Sequence, residues 1–163
     1  MNNEVKVELI APNEWQRLRT IRLQALTESG HAFGGTFEVE STEDEAAWRN
    51  KFVKNDFLIA SVNGVDAAVM YIEVLDGDFG ATCWIGGCWS DPRFRGKGLM
   101  RAMFTFIDQQ NKEWKIQGLG VWTDNHSAIA AYEKLGFVKM GEDTESTRKP
   151  GMFYQRMIRK SQI

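Results

Sequence analysis

Asp91-Pro92-Arg93-Phe94-Arg95-Gly96-Lys97-Gly98-Leu99-Met100-Arg101 packs two glycines and four basic residues into one short stretch. A run with strand character, Ala81 to Ser90, leads into it. Helical spacing leads out of it through Leu99, Met103, Phe106 and Ile107, with Arg101, Thr105, Asp108 and Lys112 on the wet side. The stretch therefore reads as the turn that starts a helix. Unpaired amides at a helix start point outward and the helix dipole favours negative charge, so such a turn can hold an anion. Glycines at Gly96 and Gly98 let a pyrophosphate come close to the backbone, and Arg95, Lys97 and Arg101 add positive charge. A solvated basic turn capping a helix fits these residues about as well on their own. The Gly-x-x-x-x-Gly-Lys-Ser/Thr spacing of a P-loop is missing, as is Gly-x-Gly-x-x-Gly on a parallel sheet.

Downstream, Leu119-Gly120-Val121-Trp122 reads as a short strand, followed by Asn125-His126-Ser127-Ala128-Ile129-Ala130-Ala131-Tyr132-Glu133-Lys134-Leu135-Gly136-Phe137. The spacing predicts a helix from Ser127 to Leu135, ended by Gly136. Asn125 and Tyr132 lie nearly two turns apart, so both project from one side, with Ala128 and Ile129 leaving room for a narrow ligand. Taken singly, Asn125 is a helix cap and Tyr132 a packing residue.

Towards the N-terminus, residues 4 to 10 alternate as a strand. Pro12-Asn13-Glu14 then opens a helix with an apolar stripe at Trp15, Leu18, Ile21, Leu23 and Leu26, ended near Gly30. Phe33-Gly34-Gly35-Thr36 reads as a loop, and Thr42 with Glu45 as the capping box of a second helix carrying Ala46, Trp48 and Phe52. Asn63-Gly64 joins Phe57–Val62 and Val65–Leu75 as a hairpin. Towards the C-terminus, two more strands flank the Lys149-Pro150-Gly151 turn. The order implies a mixed sheet covered on both faces, of α/β or α+β class.

The chain has 163 residues, 43% hydrophobic and 26% charged, with no repeat or interdomain linker, so residues 1–163 read as one domain. A net charge of -2 asks for no nucleic-acid partner, and the acidic stretch Glu38 to Glu45 argues against one. No run approaches the ~18 apolar residues of a membrane span. Cys83 and Cys88, five residues apart on a strand, are expected on opposite faces and unable to pair. Free cysteines and the absence of a span suit the cytoplasm. Two histidines and no clustered cysteines predict no metal site.

The two constellations together resemble the GNAT N-acetyltransferases. The family pattern Arg/Gln-x-x-Gly-x-Gly/Ala is met at Arg95 and Gly98, with Met100 in place of the small residue. The Asn-x-x-Ala-x-x-x-Tyr-x-x-x-Gly-Phe signature is met at Asn125, Ala128, Tyr132, Gly136 and Phe137. The resemblance covers roughly residues 57 to 140 by pattern and the rest by order of elements. It implies a mostly antiparallel central sheet of about seven strands flanked by four helices. It also implies acetyl-CoA as co-substrate, with the pyrophosphate held at Arg95, Gly96, Lys97, Gly98, Leu99, Met100 and Arg101, and Asn125 alongside. Met100 turns its side chain into the core, or else the pyrophosphate sits more loosely.

Further roles follow from the same resemblance. The strand backbone near Ser90 pairs with the pantetheine arm and the thioester carbonyl. Tyr132 is the acid that protonates the departing CoA thiolate. The loop carrying Phe33 lies where the family faces its substrate, so Phe33 is expected to line the acceptor pocket; apart from the resemblance, Glu73, in the middle of a strand, is the candidate base acting through water on an acceptor amine, and a plain surface loop and an exposed strand carboxylate are the blander readings. A ping-pong route through Cys83 or Cys88 lacks a helpful histidine. A non-catalytic acyl-CoA-binding module on the same fold is the alternative function. No motif names the acceptor, and dimers are common in such families.

Overall fold

A computed structural model describes residues 4–110 and 113–161; Lys112, expected on the wet face of a helix, lies outside them. Seven strands form one sheet: β1 Val5–Ile10, β2 Asp56–Val62, β3 Val65–Val74, β4 Cys83–Ser90, β5 Ile116–Trp122, β6 Val138–Glu145 and β7 Phe153–Lys160. Their order across the sheet is β1-β2-β3-β4-β5-β7-β6. Every neighbouring pair is antiparallel except β4 and β5. Asn63 and Gly64, at φ 50° and 83°, make the tight turn between β2 and β3.

The helices are α1 Trp15–Ser29, α2 Phe37–Glu40, α3 Glu45–Asn50, α4 Leu99–Gln109 and α5 His126–Lys134. The extra short helix α2 falls just after the expected loop, because the Thr36 hydroxyl accepts a hydrogen bond from the Val39 amide and caps a single turn. The cap of α3 is Asp44, whose carboxylate accepts from Ala47 N at 2.9 Å. Thr42, the expected cap, instead donates its hydroxyl to Val39 O. No helix among the described residues is long and apolar enough to cross a membrane.

Both sheet faces are covered. Leu18, Ile21, Ala25 and Leu26 of α1 and Trp48 of α3 pack on Phe57, Ile59, Val69 and Trp89. On the other face Leu99, Met103, Phe104 and Ile107 of α4 pack on Leu58, Ala60, Met70 and Ile72. Alternating positions of β2 serve the two cores, which is why its sequence reads as a continuous apolar run. Arg159 of β7, 4% exposed, bonds Asp108 of α4, Gln117 of β5 and the Leu135 carbonyl after α5. That network fixes α5 against the sheet.

The alternation of β4 is broken. Tyr71 pairs with Gly86 and Val69 with Trp89, so Gly87 and Cys88 together oppose Met70. Gly87 adopts φ 60°, which a bulge requires and a side chain resists. The extra residue inverts the facing of everything after it. Cys83, Ile85 and Cys88 consequently meet the same core, beside α4, while Trp89 faces α1. The expectation that the two cysteines face opposite ways is therefore corrected by one bulge; both are free thiols.

Candidate active site

β4 and β5 pair at Cys83 with Gln117 and Trp84 with Gly118, and part beyond that point. The bulge tilts one strand away, and Gly118 and Gly120 of β5 accommodate the Trp84 ring that wedges beside them. A cavity of about 510 Å³ opens where the strands separate, lined by Trp84, Cys88, Trp122, Asn125, Ala128 and Tyr132 among others. Separated strand edges leave backbone amides and carbonyls able to pair with an extended, amide-bearing ligand.

The basic turn lies at the far end of β4. Asp91 caps the turn Pro92–Phe94 by accepting from Arg93 N at 2.9 Å and from the Arg93 guanidinium at 2.8 Å. Those bonds from Arg93 hold the Asp91 carboxyl below the usual carboxylate range, against the opposing effect of burial. Gly96 and Gly98 take φ 78° and 77°, and no atom lies within 4 Å of where a Cβ would stand on either. The α4 start thus presents unobstructed backbone to solvent, with its first amides free of intrahelical acceptors. Lys97 and Arg101 are exposed and carry no ion pair among the described residues. Leu99 is buried and Met100 packs its side chain against the core, leaving the outer side of the turn clear.

Arg95 is disposed differently from its expected role. Its guanidinium donates to the Ser90 carbonyl at 3.0 Å and to Glu28 at 3.0 Å. Glu28 also accepts from Trp89 Nε1 at 2.8 Å. Burial raises the Glu28 pKa, but hydrogen bonds from Ser29, Trp89 and Arg95 outweigh it and hold the carboxyl low. Arg95 therefore clips the turn to α1, and the Ser90 carbonyl is already engaged.

α5 sits across the gap. Asn125 caps it, its side-chain oxygen accepting from Ala128 N at 3.3 Å. Tyr132 is half-buried, its ring edge-on to Phe137 at 5.6 Å, and its hydroxyl lies near the Cys88 thiol at the lining of the gap. Burial, reinforced by the adjacent thiol, raises the Tyr132 pKa well above that of free tyrosine. Burial likewise pushes the Cys88 thiol up to about 11, with the nearby Tyr132 hydroxyl pulling the other way.

The sequence model of the acetyltransferase (GNAT) family matches residues 15–137. The chain belongs to that family. Solved structures agree in fold. A GNAT-family acetyltransferase from Streptococcus pneumoniae is 16% identical and superposes with a TM-score of 0.75 over 98% of this chain and 100% of that one. The ribosomal-protein-S18-alanine N-acetyltransferase of Escherichia coli is 19% identical, with a TM-score of 0.67 over 98% and 96%. The spermidine N-acetyltransferase of Vibrio cholerae, solved with CoA and spermine, is 13% identical, with a TM-score of 0.71 over 96% and 95%. No curated protein sequence matches the chain.

In this acetyltransferase a second cavity, of about 400 Å³, opens on the α1 side of the sheet and shares Tyr71, Gly87 and Arg148 with the first. Glu73 lies in this second cavity and not in the strand gap. Phe33 is 7% exposed and borders the gap, with the Arg22 guanidinium 5.0 Å from its ring centroid. The loop carrying Phe33 is pinned from two sides: Trp122 Nε1 donates to Ala32 O at 3.1 Å, and Lys149 Nζ to Phe33 O at 2.8 Å. Of the three strand tryptophans, Trp84 and Trp122 line the gap, whereas Trp89 is buried under α1.

Tyr71, Arg22 and Arg148 were not singled out by sequence reasoning. One signal existed for Arg22, which stands four positions after Leu18 inside the apolar stripe of α1. A charged residue there needs a partner, and Glu40 of α2 supplies it in two bonds of 2.9 and 3.0 Å. Tyr71 shares its strand face with Val69 and Glu73, a period-two relation that gains meaning only once the cavity is seen.

Proposed function

We propose that the protein transfers an acetyl group from acetyl-CoA directly to a primary amine, with Tyr132 protonating the CoA thiolate as it leaves. The observation that carries this is Tyr132 lining the gap between β4 and β5, its hydroxyl beside Cys88. A thiol pKa near ~8.5 lets the CoA sulfur depart as a thiolate, and a hydroxyl whose pKa is raised is fully protonated at neutral pH, so it stands as the hydrogen-bond and proton donor to that sulfur as the carbon–sulfur bond breaks. The turn at Gly96 to Met100 supplies amides for the pyrophosphate, with Lys97 and Arg101 adding charge. Asn125 orients α5 through its cap. Glu73, bordering the adjoining cavity, serves as base through water for an amine that arrives protonated. Phe33 shapes the boundary between the two cavities. Backbone at the bulge, nearer the gap than Ser90, pairs with the arm of the cofactor.

Calorimetric titration of acetyl-CoA into wild type and Gly98→Asp, followed by a thiol-release assay over an amine panel with Tyr132→Phe, tests this reading. Aspartate tolerates the left-handed backbone, so the variant keeps the turn and adds a repelling charge. Binding by wild type, weakened in Gly98→Asp, and turnover falling by about 100-fold or more in Tyr132→Phe are the expected results. Absence of acetyl-CoA binding by wild type would end the proposal, and full turnover by Tyr132→Phe would remove the tyrosine's role.

A further inference from the structure

The second cavity carries five charged side chains, and most of the charge is already matched. Arg22 is held by Glu40 at 2.9 Å and Lys51 by Glu43 at 3.3 Å. Two are left. Arg148, from the turn between β6 and β7, makes no ion pair or side-chain hydrogen bond among the described residues, and Glu73 makes none either. Both act electrostatically on the Tyr71 hydroxyl, and no ion pair joins them among the described residues. Trp48, 0% exposed, borders the same cavity with an indole N–H that has no hydrogen-bond partner among the described residues.

The space around these groups is kept open by glycine. A Cβ on Gly34 would stand 3.0 Å from the Arg148 guanidinium, and one on Gly87 would stand 3.6 Å from that of Arg22. A Cβ on Gly35 would overlap the Glu40 carboxylate, and one on Gly86 the Tyr71 ring. Arg148 borders both cavities, so a ligand reaching from the second towards Tyr132 must pass it.

We propose that the acceptor is a small zwitterion, an amine that also bears a carboxylate, with its nitrogen on the Glu73 side of Tyr71 and its carboxylate on Arg148. The inference rests on the acetyl-transfer reading and names the substrate class for the same site. An amine of pKa near ~10 arrives as an ammonium ion and meets an unpaired carboxylate at Glu73. A guanidinium offers a carboxylate two parallel donors. A polycation satisfies Glu73 but leaves its remaining charges beside Arg148 and Arg22, where like charges repel. Arg148 is a specificity residue in this scheme; the proton moves from the ammonium through water to Glu73, and the nitrogen then forms the amide bond as the carbon–sulfur bond breaks.

The test measures kcat and KM for the free amino acids, the corresponding amino-acid amides and spermidine, with wild type, Arg148→Gln and Arg148→Lys, alongside calorimetric binding of acetyl-CoA. The expected result is that wild type favours the best amino acid over its amide by about 10- to 100-fold in kcat/KM. Arg148→Gln should abolish that preference through KM with kcat little changed, and Arg148→Lys should restore part of it. Arg148 is exposed, and melting temperatures of the variants, measured alongside, check that they fold. Equal or better turnover of amides or spermidine overturns the proposal, as does an unchanged preference in Arg148→Gln, or acetyl-CoA binding with no amino acid acetylated. Failure to bind acetyl-CoA instead defeats the acetyl-transfer reading on which it stands.

Discussion

The Tyr132 hydroxyl of α5 and the Cys88 thiol of β4 lie close enough to act on each other's titration, although 44 positions separate them in the chain and Cys88 faces Tyr132 only because the bulge at Gly87 turns it that way. Burial keeps this thiol protonated, since its pKa is pushed up to about 11.

Alkylation of Cys88 should therefore be slow at neutral pH and should accelerate about tenfold per pH unit up to pH 10, without the plateau that an ordinary thiol shows near ~8.5. Peptide mapping of iodoacetamide adducts in the folded protein checks this, with urea-unfolded protein as reference. Cys83, 0% exposed and raised to about 12, should stay unmodified in the folded state. A plateau for Cys88 below pH 9 contradicts the burial argument.

Asp108→Ala should strip the charge partner from Arg159, which is 4% exposed. An uncompensated buried guanidinium costs about 3–5 kcal/mol. Urea unfolding should show that loss, and a double variant with Arg159→Met should recover much of it, since removing both charges removes the unpaired one.

Asp91 links stability to pH. Its folded pKa lies below the unfolded value of about 3.9, so the unfolded state binds the proton more readily and the contribution is present above that pH. As pH falls through the lower folded pKa, the contribution disappears. Asp91→Asn keeps a capping oxygen and loses only the charge facing Arg93, so it should melt slightly below wild type from pH 5 to 7, by an amount equivalent to less than ~1 kcal/mol for a pair with an exposed partner, and the gap should close as pH falls below about 4. A difference that persists unchanged into acid would assign the effect to shape and not to charge.

Gly86→Ala should cost about 1–3 kcal/mol, because the added methyl overlaps the Tyr71 ring in a packed region where neither strand yields easily. Thermal unfolding measures the loss. The same substitution at Gly30, where nothing lies within 4 Å and the backbone is helical, should leave stability level or slightly raised.

Much of the architecture is legible in the chain because it rests on preferences acting over a few residues. Asn63-Gly64 accepts positive φ at both positions and so closes β2 onto β3. Gly98, followed by the apolar spacing of Leu99, Met103 and Ile107, starts α4 where the sequence says it starts. Asn125 caps α5 through an amide three residues away. Other features escaped for an equally physical reason. Asp44 displaced Thr42 as the α3 cap because a choice between neighbouring oxygens depends on how the preceding turn is held.

What the amino-acid order determined by itself was most of the strands and longer helices, the glycine-rich basic turn that starts α4 and the helix that carries Tyr132, since backbone conformation and the division between apolar and wet faces follow from residues close in sequence. Tertiary structure alone decided that Arg95 spends its charge on Glu28, that one bulge carries Cys88 to Tyr132, and that Glu73 and Arg148 face one cavity without pairing. Those relations depend on distances between residues far apart in the chain, which are set by strand register and layer packing and have no local signature.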